Sequence, residues 1–350
     1  MSDREQRNND NELVNHLLKE PPEDMHPGGE PPGRKRKIPW NRAAVVFIII
    51  GAILFGMSWT GGSRGGSIHF RNGGFRVVSI SRGAREQVEV ALPPGVENAR
   101  HININAATVN IDLRPAPGST SPQLFVQGIE SPEVTLNGNI LTIGNNETRA
   151  ETFSLINMYF TDARRAIILY LPPRHYEHIN LALTSGNVRA EGLHSELFTA
   201  RSNSGNLTLS ESFIETANLR STAGNIRITD VYLDQGTFQA NAGNITKTDG
   251  NVGVLSATTT AGNITVNNTH IQNRGTADLR ANAGNVRFTA QPPGGPNRIA
   301  YELDTRAGNI TVNGQRHRGG RYGAVINPVA SPDFTVTMRT TSGNVILNLE

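Results

Sequence analysis

The chain has 350 residues, of which 36 are glycine, 18% are charged and 6% are aromatic, a composition that favours short strands and tight turns over long helices. It contains no cysteine, which excludes disulfides, thiolate zinc sites and a catalytic cysteine. The formal net charge is only +3, and no basic stripe is interleaved with aromatic residues, so nucleic-acid binding is not predicted.

Residues 1–42 are polar and divided by charge. Residues 1–33 carry eight acidic and three basic side chains, and residues 21–33 are rich in proline and glycine. Such a run is typical of a linker or a disordered segment. The sequence therefore predicts a disordered tail that ends in a basic cluster, formed by Arg34, Lys35, Arg36, Lys37 and Arg42.

Residues 43–59 form the most apolar stretch and contain no charge. As a helix they would be roughly 25 Å long, near the lower limit for crossing a bilayer. Trp40 and Trp59 flank the stretch, as interfacial anchors do. Because the basic cluster lies on the N-terminal side, we predict a single-pass helix with residues 1–42 in the cytoplasm. The alternative is a cleaved signal peptide with a small-residue site at Gly56 and Ser58.

Residues 60–74 are rich in glycine and serine and are predicted to be a flexible tether. From residue 75 onward, alternation of apolar and polar residues dominates, with clear examples at residues 101–112, 133–143 and 166–171. We therefore predict an extracytoplasmic all-β domain over residues 75–350. It is irregular over residues 75–183 and regularly repeated over residues 184–350.

A tetrad of Ser or Ala, Gly, Asn and an aliphatic residue recurs eight times. The first five glycines are 19 residues apart, and the later intervals are 22, 24 and 35 residues. Glycine and asparagine tolerate positive φ, so each pair predicts a sharp turn. The pairs are Gly186-Asn187, Gly205-Asn206, Gly224-Asn225, Gly243-Asn244, Gly262-Asn263, Gly284-Asn285, Gly308-Asn309 and Gly343-Asn344.

The aliphatic residue after each pair begins a period-two pattern with one buried face, which Lys247 interrupts. A 19-residue unit cannot bury a core alone, but it can when stacked on its neighbours. The sequence thus predicts a parallel β-helix, or β-solenoid, in which each successive coil advances by about 4.8 Å and the asparagines bond coil to coil. The inserts at residues 291–297 and 315–333 are expected to leave the rod as loops.

Residues 166–188, AIILYLPPRHYEHINLALTSGNV, resemble the entry to the bacterial putative-adhesin repeat family, in which a strand and "LP" lead into serial S-G-[DN]-[VI] units. The resemblance covers about residues 75–350. It implies a β-helix-like fold on an envelope protein, in some members with one N-terminal membrane helix. Asparagine stands here where many relatives have aspartate, which weakens a calcium-binding interpretation.

No catalytic, cofactor or metal site is predicted. The acids of the repeats are interpreted as scattered, without a shared repeat position: Glu191, Glu196, Glu211, Glu215, Asp230, Asp234 and Asp249. His175 and His178 flank Glu177, but a solvated turn is favoured over a metal site there. The best candidate contact site is a basic loop that could meet anionic glycopolymer or lipid headgroups, with a merely solvated loop as the alternative; it comprises Arg316, His317, Arg318, Arg321 and Tyr322.

These features predict a non-catalytic, adhesin-like binding or structural module, held outside a bacterial membrane by one helix. Its expected partners are the membrane and either an envelope polymer or a membrane protein. The alternative is an envelope-stress sensor whose acidic tail relays a signal inside. A third hypothesis is a carbohydrate-active enzyme, because β-helices include polysaccharide lyases.

Overall fold

The computed structural model describes residues 66–71, 74–79, 87–129, 132–145, 154–158, 165–291, 298–317 and 325–349. The chain divides into two units, Met1–Trp59 and Thr60–Glu350, and the first contains none of the described residues. Within the described ranges, no helix has the length and hydropathy needed to span a bilayer. The predicted membrane span at residues 43–59 and the tail before it lie outside those ranges.

The described residues form 25 strands. The strands before the first Gly-Asn pair are β1 Gly66–Arg71, β2 Gly74–Ser79, β3 Gln87–Val90, β4 His101–Thr108, β5 Asn110–Pro115, β6 Gln123–Gln127, β7 Glu133–Asn137, β8 Ile140–Asn145, β9 Ser154–Met158, β10 Ala166–Leu171 and β11 His175–Ser185. The later strands are β12 Val188–Glu191, β13 His194–Ser204, β14 Leu207–Ala223, β15 Ile226–Ala242, β16 Ile245–Thr248, β17 Asn251–Ala261, β18 Ile264–Ala283, β19 Val286–Gln291, β20 Ile299–Ala307, β21 Ile310–Val312, β22 Gln315–His317, β23 Val325–Asn327, β24 Phe334–Ser342 and β25 Val345–Leu349.

A small antiparallel sheet contains β1, β2 and β9, in the order β2-β1-β9. Strand β1 falls inside the segment that was predicted to be a tether. That prediction is therefore wrong for Gly66–Arg71, whose backbone pairs with β2 and β9.

The repeats form parallel coils, as predicted. Leu207 pairs with Ile226, Ile226 with Ile245, and Ile245 with Ile264, so each aliphatic residue after a Gly-Asn pair lies beside its equivalent one coil away. These side chains are all buried, at 1% exposure or less. A single column of branched aliphatic residues therefore runs along the inside of the rod, as expected for strands that stack in parallel.

Each regular coil has three sides, because the alternation of buried and exposed residues shifts by one at three places. In β14 the shifts occur at Ser210-Glu211, at Glu215-Thr216 and at Thr222-Ala223. The last of these leads into the Gly-Asn pair, which we call the first turn. The others are the second turn, at Glu211, and the bend, at Glu215. Between them lies a short side, residues 212–214, in which only Phe213 points outward.

The coils are not stacked in chain order at the C-terminal end. Strand β24 pairs in parallel with β18 on one side and with β20 on the other, and β25 lies likewise between β19 and β21. The coil formed by β24 and β25 comes last in the sequence but lies second from the end of the stack, between the coils of β18–β19 and β20–β21. The coils were expected to stack in sequence order, and this part of the expectation is corrected. The long connection between β21 and β24 gives the chain room to pass over one coil and return.

The second insert is not simply a loop. Gln315–His317 forms β22, antiparallel to β21, and Val325–Asn327 forms β23, antiparallel to β20. At the other end, β4 and β5 form a coil of the same kind before residue 184, with Val109 in the place of the turn glycine. Beyond it, β7 and β6 add antiparallel to β8 and β10. Antiparallel strands therefore cover both ends of the parallel stack, which limits edge pairing with other chains. Of the first insert, residues 292–297 lie outside the described ranges.

Candidate binding surface on the short side of the coil

The first turn requires glycine because neighbouring coils approach each other too closely for a side chain. Gly205 has φ 146°, and a Cβ atom added there would lie 2.0 Å from the carbonyl oxygen of Gly186. Gly224 and Gly243 meet the preceding glycine in the same way, again at 2.0 Å. The glycine column is thus explained by packing of the turns and needs no ligand.

The asparagine beside each glycine bonds to the next coil, as predicted. The backbone N–H of Asn206 donates to Oδ1 of Asn187 at 2.9 Å, and that of Asn225 donates to Oδ1 of Asn206 at 2.8 Å. The series runs from Asn110 to Asn309 and passes through Asn344 before Asn309, in the spatial order of the coils. Because the asparagine side chain of each turn accepts the backbone N–H of the turn in the next coil, this column stabilises the fold.

A column of buried hydroxyls supports the same turn, and sequence reasoning missed it. Ser221 Oγ donates to the carbonyl of Gly205 at 3.0 Å, and Thr259 Oγ1 donates to that of Gly243 at 3.0 Å. Both side chains are 1% exposed. A Ser or Thr three residues before several of the turn glycines was the available signal. Its hydroxyl satisfies a backbone carbonyl that would otherwise be buried without a partner.

The second turn also recurs with a period of 19 residues. Glu211, Asp230, Asp249 and Asn268 have φ values of 48°, 52°, 57° and 46°, in the left-handed region. Aspartate and asparagine enter this region more readily than most residues, which explains their prevalence at this position. Three carboxylates therefore lie in one column, one per coil.

The bend carries a second column of acids. Glu177, Glu196, Glu215 and Asp234 are each 19 residues apart, and the residues beside them pair in register, as Ile214 does with Leu233. The prediction that the acids share no repeat position was wrong. Only Glu191 of the acids named for the repeats falls outside the two columns. The 19-residue intervals were visible in the sequence, but they became meaningful only when the turn and the bend were seen as fixed places in a coil.

Between the two acidic columns runs a column of rings. The centroids of His175 and His194 are 4.7 Å apart, those of His194 and Phe213 are 6.3 Å apart, and those of Phe213 and Tyr232 are 4.7 Å apart. The last two rings stack nearly parallel, at 11°. Phe213 is 58% exposed and Tyr232 is 40% exposed, so the stack is open to solvent.

We call these three columns the acid–aromatic ribbon. It comprises an outer column of Glu211, Asp230 and Asp249, a central column of His175, His194, Phe213 and Tyr232, and a second outer column of Glu177, Glu196, Glu215 and Asp234. None of its residues is Lys or Arg. Carboxylates in neighbouring coils repel one another, so this arrangement adds repulsion to the folded state, although histidines pair with Glu177 and Glu196.

The repeat geometry agrees with the comparison to known families. The Toastrack DUF4097 model matches residues 99–348, more than two thirds of the chain. The chain belongs to the Toastrack DUF4097 family. The expectation that the chain belongs to a family of repeat proteins with an adhesin-like fold is therefore confirmed.

Two solved structures align with most of the chain. A putative adhesin from Bacteroides fragilis has a TM-score of 0.45 and 9% identity, over 76% of this chain and 96% of that one. A putative cell adhesion protein from Clostridium sporogenes has a TM-score of 0.27 and 10% identity, over 76% and 99%. No curated protein matches the sequence at a significant level.

Lys247, which interrupts the apolar pattern, lies inside the Toastrack solenoid beneath the ribbon. Its side chain is fully buried, in register with Ile228 and Val266. The ammonium donates to the backbone carbonyl of Asp249 at 2.6 Å. Burial lowers the pKa of Lys247 to about 8, and the carboxylates of Asp249 and Asp230 oppose that shift. The one buried cation of the regular coils is thus directed toward the acids of the second turn.

The histidines near the start of the ribbon pair with its acids. His101 Nε2 lies 2.9 Å from a carboxylate oxygen of Glu177, and His175 Nε2 lies 3.4 Å from one of Glu196. His178 contacts the ring of His101 edge-on, with centroids 5.0 Å apart. Over the described residues, no group of three or more His, Asp or Glu side chains is arranged to hold a metal ion.

The predicted basic loop is only partly described. Arg316 donates to Oδ1 of Asn309 at 2.6 Å, which ties it to the end of the asparagine column. His317 ends β22. Arg318, Arg321 and Tyr322 lie outside the described ranges, so the role of this loop in binding anionic ligands stays a prediction.

Proposed function

We propose that this Toastrack protein is a non-catalytic binding module, and that the acid–aromatic ribbon is the surface through which it contacts its partner. The observation that carries the proposal is the ribbon itself. It combines exposed stacked rings with two columns of like charge, and the coils of Phe213 and Tyr232 each carry one ring and an acid on either side of it.

The ribbon has no evident role in folding. Phe213 and Tyr232 leave much of their apolar surface in water, although burial is the main stabilising contribution of such side chains. The flanking carboxylates repel one another along each column. Side chains that oppose folding are retained more readily where a partner covers them, and clustered exposed apolar surface with a polar rim is typical of interaction sites.

The position of the acids supports binding over catalysis. Glu215 and Asp234 lie one coil apart on the outside of the solenoid, and each is exposed to solvent. Glycan hydrolysis needs a proton donor whose pKa is raised by an enclosed site. Because Glu215 and Asp234 are both exposed, neither carboxyl group lies in an enclosed site of that kind.

We further propose, from the sequence, that residues 43–59 hold the solenoid at the outer side of a bacterial membrane. The lack of charge in that stretch and the basic cluster before it support this orientation. A tethered solenoid would then present the ribbon to molecules of the envelope.

The proposal is tested by photo-crosslinking in living cells. A photoreactive phenylalanine analogue is placed at Tyr232 on the ribbon or, as the matched control, at Gln239 of the same strand. Gln239 is exposed on the longest of the three sides of the coil, residues 235–241, which we call the long side. We expect discrete crosslinked products from the Tyr232 position alone. The products should also be lost when Glu215→Gln and Asp234→Asn are added.

Products of equal yield from both positions would contradict the ribbon as the contact surface. So would a Tyr232 position that gives no product in cells that produce and fold the protein. Protease resistance of each variant in the same cells verifies that it is folded.

A further inference from the structure

The charge and shape of the ribbon restrict the chemistry of its partner. The buried Lys247 interacts with two of its carboxylates, Asp230 and Asp249, and histidines pair with two others, Glu177 and Glu196. Seven carboxylates line the ribbon in all: Glu177, Glu196, Glu211, Glu215, Asp230, Asp234 and Asp249. Such a surface repels phosphate, sulfate and uronate groups and attracts cations. The anionic ligands considered for the basic loop therefore do not fit here.

The ribbon repeats the same set of groups along a line. Two adjacent coils, those of Phe213 and Tyr232, each offer one ring with a carboxylate on either side, and the two sets are about 4.8 Å apart. A compact cation would use one set only, whereas an extended chain with several cations can use both sets and the neighbouring acids Glu196 and Asp249 at once. Linked contacts of this kind raise affinity without any single strong contact.

One end of the ring stack offers a distinct anchor. Phe213 covers one face of Tyr232, but the following coil has Asn251 at the ring position and Gly253 at the bend. Within the described part of the chain, no ring stacks on the second face of Tyr232. Asp234 and Asp249 stand at the bend of this coil and at the second turn of the next, and one oxygen of each accepts from an amide, that of Gln272 for Asp234 and that of Asn268 for Asp249.

A planar guanidinium fits this anchor better than an ammonium does. It can lie against an aromatic face while its N–H groups bind carboxylates in pairs, and it is more easily dehydrated. Its methylene groups can pack against the exposed ring edges of the stack.

We propose that the acid–aromatic ribbon binds an extended, arginine-rich segment of a partner protein, with one guanidinium stacked on Tyr232. This inference rests on the proposed function and adds the chemical class of the partner. It names peptide arginine and excludes polyamines and lysine-rich segments as equivalent ligands.

The test is binding of labelled peptides to the purified full-length protein in detergent micelles, followed by fluorescence anisotropy at low salt. The probes are an unstructured peptide with alternating arginine and serine, the same peptide with lysine in place of arginine, and spermine as competitor. We expect the arginine peptide to bind at least about tenfold more tightly than the lysine peptide, because only arginine both stacks and pairs bidentately. Spermine should displace it poorly.

Variants separate this site from general attraction to an acidic protein. The double variant Glu215→Gln/Asp234→Asn should weaken binding of the arginine peptide about tenfold or more. Its control, Asp278→Asn/Glu302→Gln, removes two carboxylates from the long side and should change affinity by less than about twofold. Tyr232→Ser should remove the preference for arginine over lysine while leaving the salt dependence of binding nearly unchanged.

Three results would overturn the inference: no binding of the arginine peptide, equal binding of both peptides, or equal loss in the ribbon and long-side variants. The proposed function fails separately, by the in-cell crosslinking. If crosslinks at Tyr232 persist while the arginine peptide does not bind, the ribbon is a contact surface and arginine recognition is wrong.

Discussion

The first turn and the acid–aromatic ribbon are built on the same repeat but differ in how their columns are satisfied. In the first turn each asparagine donates to the one before it, and each glycine fits against the carbonyl of its neighbour. In the ribbon, acids recur at the same positions of successive coils, and the stacked rings of Phe213 and Tyr232 remain exposed to solvent. A column that pairs with itself stabilises the rod. A column of like charges would be stabilised by a counterpart from outside, and this difference is the reason why we propose the ribbon, and not the first turn, as the binding surface.

The largest loss of stability is expected when a side chain is added to a glycine of the first turn. In Gly224→Ala the new Cβ would lie 2.0 Å from the carbonyl oxygen of Gly205, so two coils must separate. We expect a loss of more than about 4 kcal/mol in the free energy of unfolding, or no folded protein. Gly138→Ala, with nothing within 4 Å of its Cβ, should lose only about 1 kcal/mol from its positive φ. Urea denaturation compares the two, and similar losses would show that coil contact does not dictate glycine.

The next effect concerns the cation beneath the ribbon. Burial lowers the pKa of Lys247 from 10.5 to about 8, so at neutral pH the folded state holds a charge that it disfavours by about 3 kcal/mol. Lys247→Ile, which matches Ile228 in the same column, should therefore stabilise the protein by about that amount.

The pH dependence has a definite sign. Between pH 8 and 10.5 the unfolded chain binds the proton that the folded chain has lost, so wild-type stability rises with pH relative to Lys247→Ile. The difference in the free energy of unfolding between Lys247→Ile and the wild type should decrease from pH 8 to pH 10.5 and be largely gone near pH 10.5. An advantage that is constant with pH, measured by urea denaturation, would assign it to packing instead of charge.

Removing one hydrogen bond of the asparagine column should lower the free energy of unfolding by a moderate amount. Asn225 Oδ1 accepts the backbone N–H of Asn244 at 2.8 Å. Asn225→Ala removes that acceptor and should cost about 1–2 kcal/mol. Asn225→Asp keeps an acceptor oxygen at the same place and should cost less. Equal costs for the two variants in thermal unfolding would mean that the hydrogen bond is not what the column contributes.

The smallest effect should have the opposite sign. Glu215→Gln reduces repulsion between Glu196, Glu215 and Asp234 and should stabilise the protein by about 0.5 kcal/mol at low ionic strength. Because these side chains are exposed, about 1 M salt should abolish the gain. The measurement is the unfolding midpoint at two salt concentrations. If Glu215→Gln instead lowered the unfolding midpoint at low salt, the acids of the ribbon would stabilise the fold, as the asparagine column does, and the proposed contrast between them would be wrong.

Much of the solenoid could be predicted because the turn leaves a strict mark on the sequence. Only glycine fits at residues such as Gly205, and only a buried aliphatic fits at the residue after the asparagine. The position of the last coil could not be predicted. Val345 would be an inward-facing aliphatic residue at any position of its coil in the stack. The local sequence therefore does not encode that its coil lies between those of β19 and β21.

The ribbon was missed for a different reason. Outward positions tolerate many side chains, and the central column changes from His194 to Phe213 to Tyr232 without repeating one residue type. A search for identical residues cannot find such a column. A search for residues of shared chemistry at 19-residue intervals would have found it, together with Glu196 and Glu215 beside it.

The place of the last coil has a consequence for how the chain is made. The ribosome delivers β20 and β21 before β24 and β25, yet β24 must lie between β18 and β20. Until β24 and β25 leave the exit tunnel, the coil formed by β20 and β21 lacks the neighbour that separates it from β18 and β19. A chain that stops at residue 333 would therefore lack an inner coil of the stack and not the one at its end, and the nascent protein is most exposed to wrong pairing after β21 and before β24 is made.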